Sequence, residues 1–299
     1  MATSQDIYQK LIRDTVGSAG DAEEKQMIDS ATAVAGPAAI KMLEVAGLDA
    51  STDTPFTLLD SACGSGVTAA VLNQTLKREV LEKSSILCTD VSESMVNLVK
   101  RRIANEGWIS TTAEQRDAQK TELPDKSFTH ITLGMALFLM ADSIAAIKDC
   151  VRILKPGGRI AFTTFPESSG KAGWIPDART AFASFPTEIP FSPPMRLDTP
   201  SRWFEESWVK KTLLDNGFQD VNTVLHSYTV SVDGPEHFMR QFGMMFEMVR
   251  NMQWSDELKK QYSKEDMLER VEAHLQEKYG GKGWDLTFTL IVGSGQISE

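Results

Sequence analysis

An apolar strand that ends in a glycine turn decides the fold of this chain: Phe-Thr-Leu-Leu-Asp-Ser-Ala-Cys-Gly-Ser-Gly-Val at residues 56–67. Gly64 and Gly66 lack a Cβ, so the backbone can turn sharply and approach a ligand where a helix begins. A second apolar stretch, residues 85–90, ends at Asp90, whose carboxylate can accept hydrogen bonds from both hydroxyls of a ribose. These two features predict a nucleotide-type cofactor site.

The glycines alone leave two cofactors open. Residues 64–69, Gly-Ser-Gly-Val-Thr-Ala, satisfy the relaxed dinucleotide pattern G-x-G-x-x-G/A, which is compatible with a nicotinamide cofactor. The sequence has no Tyr-x-x-x-Lys pair or other hydride-transfer arrangement, and this disfavours an NAD-dependent oxidoreductase. Asp60, at the strand end and four residues before Gly64, favours a different cofactor.

The arrangement Leu-Leu-Asp-x-Ala-Cys-Gly-x-Gly around Asp60 resembles motif I of the class I S-adenosylmethionine (SAM)-dependent methyltransferases. Three further segments match that family in order: residues 116–118, 123–131 and 153–162. The resemblance implies that SAM is the cofactor and S-adenosylhomocysteine (SAH) its product. The cofactor-binding residues that it implies are Asp60, Ala62, Cys63, Gly64, Gly66, Asp90, Val91, Met95, Asp117, Ala118, Gly134 and Met135.

A narrower resemblance is to the fungal natural-product methyltransferases that include the gliotoxin thiol methyltransferase. It rests on the glycine loop with Asp90-Val-Ser-Glu-Ser-Met95, on Glu106-Gly-Trp108 and on Trp174-Ile-Pro176, and it weakens after about residue 190. It implies methyl transfer to a small secondary metabolite through a sulfur, oxygen or nitrogen acceptor, with sulfur preferred. A SAM-binding protein without turnover, acting as a regulator or pathway accessory, is the alternative function.

Apolar periodicity and chain breakers predict the architecture. Strands are predicted near residues 56–60, 85–89, 111–116, 128–134, 158–164, 220–231 and 285–292, with helices near 66–81, 93–106, 142–154, 201–216 and 236–252. We therefore expect an α/β fold with a Rossmann-like, seven-stranded, mostly parallel, doubly wound sheet. We expect one domain: a helical cap (residues 1–50), a SAM-binding core (51–165), substrate-covering insertions with remaining sheet elements (166–284), and a last strand with its tail (285–299).

Composition excludes several classes of function. The formal net charge of −10 repels phosphate backbones and anionic lipid, so neither a nucleic-acid nor a membrane partner is expected. Three cysteines without metal-ligand spacing predict reduced thiols and no metal site, and the polar amino terminus predicts a cytoplasmic protein. The sequence leaves the oligomeric state open.

The acceptor side is less well defined. Aromatic and methionine side chains are the candidates for its pocket, with ordinary core packing as the competing interpretation: Phe138, Trp174, Phe191, Trp203, Met244 and Met248. A sulfonium methyl group is already activated, so the need for a base depends on the acceptor. The catalytic residue is unknown; His226 and His237 are the weak candidates for a base or a substrate contact.

Overall fold

The computed structural model describes residues 20–192 and 202–298. The predicted helical cap begins with an apolar stripe at helical spacing, from Ile7 to Val16, and this stripe lies outside the described residues. The strands are β1 (Thr57–Ser61), β2 (Ser85–Asp90), β3 (Thr111–Gln115), β4 (Phe128–Gly134), β5 (Leu154–Thr164), β6 (Phe218–Val232) and β7 (Trp284–Ile297). The helices are α1 (Asp21–Ala46), α2 (Val67–Thr75), α3 (Arg78–Leu81), α4 (Glu93–Glu106), α5 (Ser143–Ile153), α6 (Ile175–Ala183), α7 (Glu206–Asp215), α8 (Pro235–Gln253), α9 (Asp256–Gln261) and α10 (Lys264–Tyr279).

The seven strands form one sheet in the order β3-β2-β1-β4-β5-β7-β6. The pairs among β1 to β5 are parallel, whereas β7 runs antiparallel to both β5 and β6. Helices cover both faces of the sheet, and helix α1 stands before the first strand. The predicted Rossmann-like, seven-stranded, mostly parallel sheet is confirmed.

Several predicted boundaries differ from the structure. The helix predicted over residues 66–81 is two helices, α2 and α3, separated by an extended residue at Leu76. Strand β5 begins at Leu154, which pairs with Phe128 of β4, and not near residue 158. The Lys-Pro-Gly-Gly segment at residues 155–158 forms an irregularity in this pairing, with Gly157 at φ +73°. Helical spacing predicts one apolar stripe at Ala39, Ile40, Leu43 and Ala46, but Ile40 is 50% exposed because it lies on the outer face of α1, whereas the other three are buried.

Helices α6, α8, α9 and α10 pack together over the β6–β7 half of the sheet. Their apolar side chains share one cluster that includes Phe182, Phe246 and Val271. Asp177, 3% exposed on α6, accepts hydrogen bonds from Lys278 Nζ (2.7 Å), the Tyr279 hydroxyl (2.7 Å) and Trp284 Nε1 (3.0 Å). This carboxylate therefore joins α6 to the end of α10 and the start of β7.

Candidate active site at the carboxyl ends of the strands

A cavity of about 310 Å³ lies where β1, β2, β4 and β5 end. Parallel strands place their carboxyl ends at one edge of a sheet, and ligands of open α/β folds bind in the crevice outside that edge. Every residue that the sequence assigned to the cofactor lines this cavity, with the exception of Gly66. The lining also includes Ala31, Ala35, Ala38, Ala39, Met42, Ser65, Val67, Thr68, Ser92, Arg116, Gln119, Ala136, Leu139, Met140 and Thr163.

The glycine turn between β1 and α2 packs against Trp108. Gly66 has φ +80° and is the residue that precedes α2, so it takes a left-handed conformation that favours glycine. A Cβ on Gly66 would lie 3.0 Å from the Trp108 ring. Gly66 therefore shapes the loop through its conformation and its contact with Trp108, while the neighbouring Gly64, with φ +53°, faces the cavity.

Arg102 supports the same loop, and the sequence analysis missed it. Arg102 is 5% exposed. Its guanidinium carbon lies 4.8 Å from the centroid of the Trp108 ring, and its Nη1 donates to the Ser65 carbonyl at 2.6 Å. It also pairs with Glu106 at 2.6 Å, and Glu106 in turn accepts a hydrogen bond from Trp108 Nε1. The Glu106-Gly-Trp108 segment thus holds the glycine turn from behind. The only sequence signal for Arg102 was the basic run at residues 100–102.

Asp90 ties the ends of β1 and β2 together. Its Oδ2 accepts a hydrogen bond from the Gly64 N–H and its Oδ1 one from the Ser92 N–H, both at 2.9 Å. Burial raises the pKa of this carboxyl, and the backbone hydrogen bonds oppose that shift. Each carboxylate oxygen has a second lone pair, so Asp90 retains the capacity to accept hydrogen bonds from a ligand.

Asp60 is a buried carboxyl with an unsatisfied oxygen. Asp60 is 1% exposed, and its Oδ1 accepts a hydrogen bond from the Thr132 hydroxyl at 2.9 Å. Its buried Oδ2 has no hydrogen-bond partner within the described part of the chain. Burial raises the pKa of Asp60 to about 7, the Thr132 and Thr68 hydroxyls oppose the shift, and the charge of Asp90 adds to it. An unpaired, buried carboxylate oxygen at a cavity wall suits a cationic ligand group such as the ammonium of SAM.

Two residues without the freedom of glycine adopt left-handed backbone conformations at this edge. Ala62 has φ 52° and Met135 has φ 53°, and both line the cavity after β1 and β4. Such backbone strain occurs preferentially at ligand sites. The Met135 N–H donates to both the carbonyl (3.1 Å) and the hydroxyl (2.9 Å) of Thr163, which fixes the turn after β4 on the end of β5.

Helix α1 forms the wall opposite the strand ends. Its alanines at 31, 35, 38 and 39 and the fully buried Met42 face the cavity. Small side chains allow the helix to lie close to the bound ligand. A helix is predicted here from the sequence, but no sequence signal connects these alanines with the cofactor.

The titratable groups of the cavity lie on its strand-end side: Asp60, Cys63, Asp90, Arg116 and Asp117. Cys63 contacts Cys88, and this contact, followed by burial, raises the pKa of the Cys63 thiol well above its ordinary range. Asp117 is exposed at the rim and is bonded to Gln119. Within residues 20–192 and 202–298, no group of three or more His, Cys, Asp and Glu side chains is arranged to hold a metal ion.

The residues proposed for the acceptor lie outside the cavity lining. Phe138 follows β4 and packs edge-on against Phe165, with ring centroids 5.3 Å apart. Trp174 contacts Phe246 at 5.5 Å, and Phe191 lies 6.0 Å from Trp174. Trp174 and Phe191 are partly buried within the cluster of the inserted helices, whereas Phe138 is partly buried against the cluster that contains β4 and β5.

Trp203 and Met248 have the environment of core residues. Trp203 is fully buried, packs edge-on against Phe162 at 5.5 Å, and donates through Nε1 to the Ser143 hydroxyl at 2.8 Å. The structure thus places Trp203 in the core under α5 and α7 and not in the lining of the cavity. Met248 is 3% exposed, whereas Met244 is half-buried on the same helix α8.

Neither candidate histidine lines the cavity. His226 lies on β6 with its ring stacked on Tyr228, the centroids being 5.8 Å apart. His237 accepts a hydrogen bond from the Asp233 N–H at 3.1 Å in the first turn of α8. The structure therefore brings neither imidazole to the strand ends that hold the acidic residues.

In the described regions, no helix is long and apolar enough to cross a membrane.

Comparison with known proteins agrees with this geometry. Residues 59–162 match the family model described as a methyltransferase domain. Acetylaranotin bis-thiomethyltransferase of Aspergillus terreus is 30% identical over 252 residues, covering 83% of this chain and 84% of that protein. Methyltransferase tpcH of Aspergillus fumigatus is 28% identical over 246 residues, covering 81% of this chain and 84% of that protein.

A solved structure shares the fold. It is a phosphoethanolamine N-methyltransferase 2 of Haemonchus contortus in complex with SAH, with a TM-score of 0.54 at 14% identity, covering 100% of this chain and 61% of that one. The sequence relatives are methyltransferases, and this chain has the sheet topology, the glycine turn and the two strand-end carboxyls expected of that family. The chain belongs to the class I SAM-dependent methyltransferases and resembles the fungal natural-product enzymes of that family.

Proposed function

We propose that this methyltransferase methylates a thiol of a small secondary metabolite. The observation that carries the proposal is the likeness to a protein named a bis-thiomethyltransferase, which extends over 83% of this chain and 84% of that protein. Oxygen and nitrogen acceptors belong to the same general reaction and are the alternatives to be tested.

The cavity supports the choice of sulfur. The side that α1 supplies is apolar, and both candidate histidines lie elsewhere. A thiol with an ordinary pKa of about 8.5 is partly ionised near neutral pH and attacks without a base, whereas a phenol near 10 needs more help. An enzyme of this design acts by orienting an acceptor that ionises on its own.

We assign the cofactor contacts as follows. Asp90 accepts the ribose hydroxyls, since its carboxylate lines the cavity and is held in place by the Gly64 N–H of the glycine turn and by the Ser92 N–H that follows β2. The free Oδ2 of Asp60 accepts the ammonium, and Asp117 accepts the adenine amine at the rim. When bound, SAM supplies a methyl group on a positively charged sulfur, which is activated for displacement. The chain holds its partners in line and excludes water, an effect that is worth about 7–11 kcal/mol in favourable cases.

A small acceptor panel tests the proposal. The purified protein is incubated with SAM and, separately, with a dithiol, a phenol and a primary amine, and SAH and the methylated product are quantified by mass spectrometry. We expect S-methylated dithiol as the main product. Methylation of only the phenol or the amine would assign a different acceptor atom. SAH binding without any transfer would favour the accessory SAM-binding alternative.

A further inference from the structure

Gln119 connects two loops of the cavity. It lies in the turn after β3 and lines the cavity beside Asp117. Its Nε2 donates to Asp117 Oδ1 at 3.0 Å and lies 3.2 Å from Asp117 Oδ2, while its backbone N–H donates to Oδ1 at 2.9 Å. Its Oε1 accepts the Asp142 N–H at 2.6 Å. Asp142 precedes α5, directly after the cavity residues Leu139 and Met140.

These contacts fix the orientation of the Gln119 amide. A backbone N–H can only donate and an ionised carboxylate can only accept, so the amide oxygen must face Asp142 and the amide nitrogen must face Asp117. Asp142 is itself held, because its Oδ1 accepts the Ala145 N–H at 2.9 Å as the cap of α5. A side chain anchored at both ends loses most of its freedom, and so does the carboxylate to which it donates.

These hydrogen bonds leave the Asp117 carboxylate with limited capacity to accept hydrogen bonds from a ligand. Oδ1 accepts two N–H groups from Gln119, which fill its two lone pairs. Oδ2 also accepts from Gln119 Nε2 at 3.2 Å and keeps one lone pair for a ligand. A group that only accepts, held in one orientation at the cavity rim, selects a donor such as an exocyclic amine. It repels a carbonyl oxygen placed at the same position.

We propose that Gln119 is a positioning residue that sets the specificity of the cofactor site for adenine, by holding the Asp117 carboxylate toward the exocyclic amine. This inference rests on the proposed contact between Asp117 and adenine. Gln119 acts through Asp117, so its loss should change the choice between nucleobases more than the affinity for the rest of the cofactor.

Two substitutions of Gln119 separate its hydrogen bond to Asp117 from its hydrogen bond to the Asp142 N–H. Gln119→Leu removes both side-chain links and keeps a similar volume. Gln119→Glu keeps an acceptor for the Asp142 N–H but replaces the donor to Asp117 with a second negative charge. The matched control is Gln219→Leu, which changes an exposed glutamine on β6 at the far edge of the sheet.

The readout is the ratio of the dissociation constants of S-inosylhomocysteine and SAH, measured by calorimetry for each protein. The inosine compound carries a carbonyl oxygen in place of the adenine amine. We expect the wild type and Gln219→Leu to prefer SAH, and both Gln119 variants to lose about tenfold of that preference, the usual scale of a hydrogen bond to a charged group.

The outcomes distinguish failure of the role given to Gln119 from failure of the assigned contact between Asp117 and adenine. If the ratio is unchanged in Gln119→Glu, or if both ligands weaken equally in both variants, Gln119 has only a structural role and the inference fails. If wild-type protein binds SAH with adenine preference but Asp117→Asn leaves that preference intact, the assigned adenine contact is wrong. Absence of SAH binding by the wild type would instead overturn the cofactor site itself.

Discussion

Cofactor binding should release a proton from Asp60 near neutral pH. The residue is 1% exposed, and burial raises its pKa to about 7, with a smaller contribution from the charge of Asp90 and an opposing one from the Thr132 hydroxyl. The ammonium group of SAH stabilises the ionised carboxylate and has no such attraction to the protonated form. Binding therefore lowers the pKa of Asp60, and the affinity for SAH should fall as the pH falls through 7.

The size of the effect follows from the pKa. For a pKa of about 7, the apparent dissociation constant rises by the factor 1 + 10^(7−pH), which is about 1.1 at pH 8 and about 11 at pH 6. The expected loss of affinity over this range is about tenfold, or about 1.4 kcal/mol. At pH 7 about half of the protein molecules should release a proton on binding.

Calorimetric titration with SAH at pH 6, 7 and 8 measures this directly. Two buffers with different ionisation enthalpies at each pH give the number of protons released. Asp60→Asn should abolish the pH dependence and weaken binding at pH 8, while the exposed Asp53→Asn should behave as the wild type. Equal affinity at pH 6 and pH 8, or an undiminished pH dependence in Asp60→Asn, would refute the role given to Asp60; the second result would point to Asp90, whose pKa burial also raises.

Three substitutions test other parts of the structure. Asp90→Ala should weaken SAH binding by at least about tenfold, because it removes the ribose acceptor together with the hydrogen bonds that hold the glycine turn at Gly64 and the start of α4 at Ser92; unchanged calorimetric affinity in a folded variant would contradict this. Gly66→Ala should lower the free energy of unfolding by about 1–3 kcal/mol, because its Cβ meets Trp108 and its φ is +80°; chemical denaturation should show a smaller loss for Gly107→Ala, where a Cβ meets no atom within 4 Å. Asp177→Ala should cost about 1–3 kcal/mol, because it removes the acceptor shared by Lys278 and by the partly buried Tyr279 hydroxyl and Trp284 N–H; a melting temperature within one degree of the wild type would show that this network contributes little.

The cofactor half of the site was predictable from the sequence because local signals determine it. Strand period, a glycine turn and an acid at each strand end place Asp60 and Asp90 at the same edge of a parallel sheet. Arg102 was not predictable in the same way. It stands in a basic run on an exposed-looking helix, and only the tertiary contact with Ser65 and Trp108 distinguishes it from its solvated neighbours.

The acceptor half could not be predicted, because the same residue types serve a pocket and a core. Trp203 and Phe138 both follow breaks in the apolar pattern, yet Trp203 is fully buried against Phe162, whereas Phe138 lies partly exposed beside Phe165. Side-chain surroundings of this kind depend on long-range packing between the inserted helices and the sheet. Periodicity reports which face of an element is apolar but not what covers that face.

The wall that closes the cavity depends on elements distant from every cofactor motif. Pro37 lies inside α1 and has no N–H, so the carbonyl of residue 33 cannot receive its usual helical hydrogen bond. At the next residue, the Val34 carbonyl accepts the Tyr228 hydroxyl of β6 at 2.7 Å, and Gln26 donates to the Arg240 carbonyl of α8 at 3.2 Å. The strand ends come from the first half of the sequence, while α1 is held in place by β6 and α8 from the second half. The position of α1 over the cavity therefore depends on the late elements, and we expect that exclusion of water from the methyl group requires them to be folded.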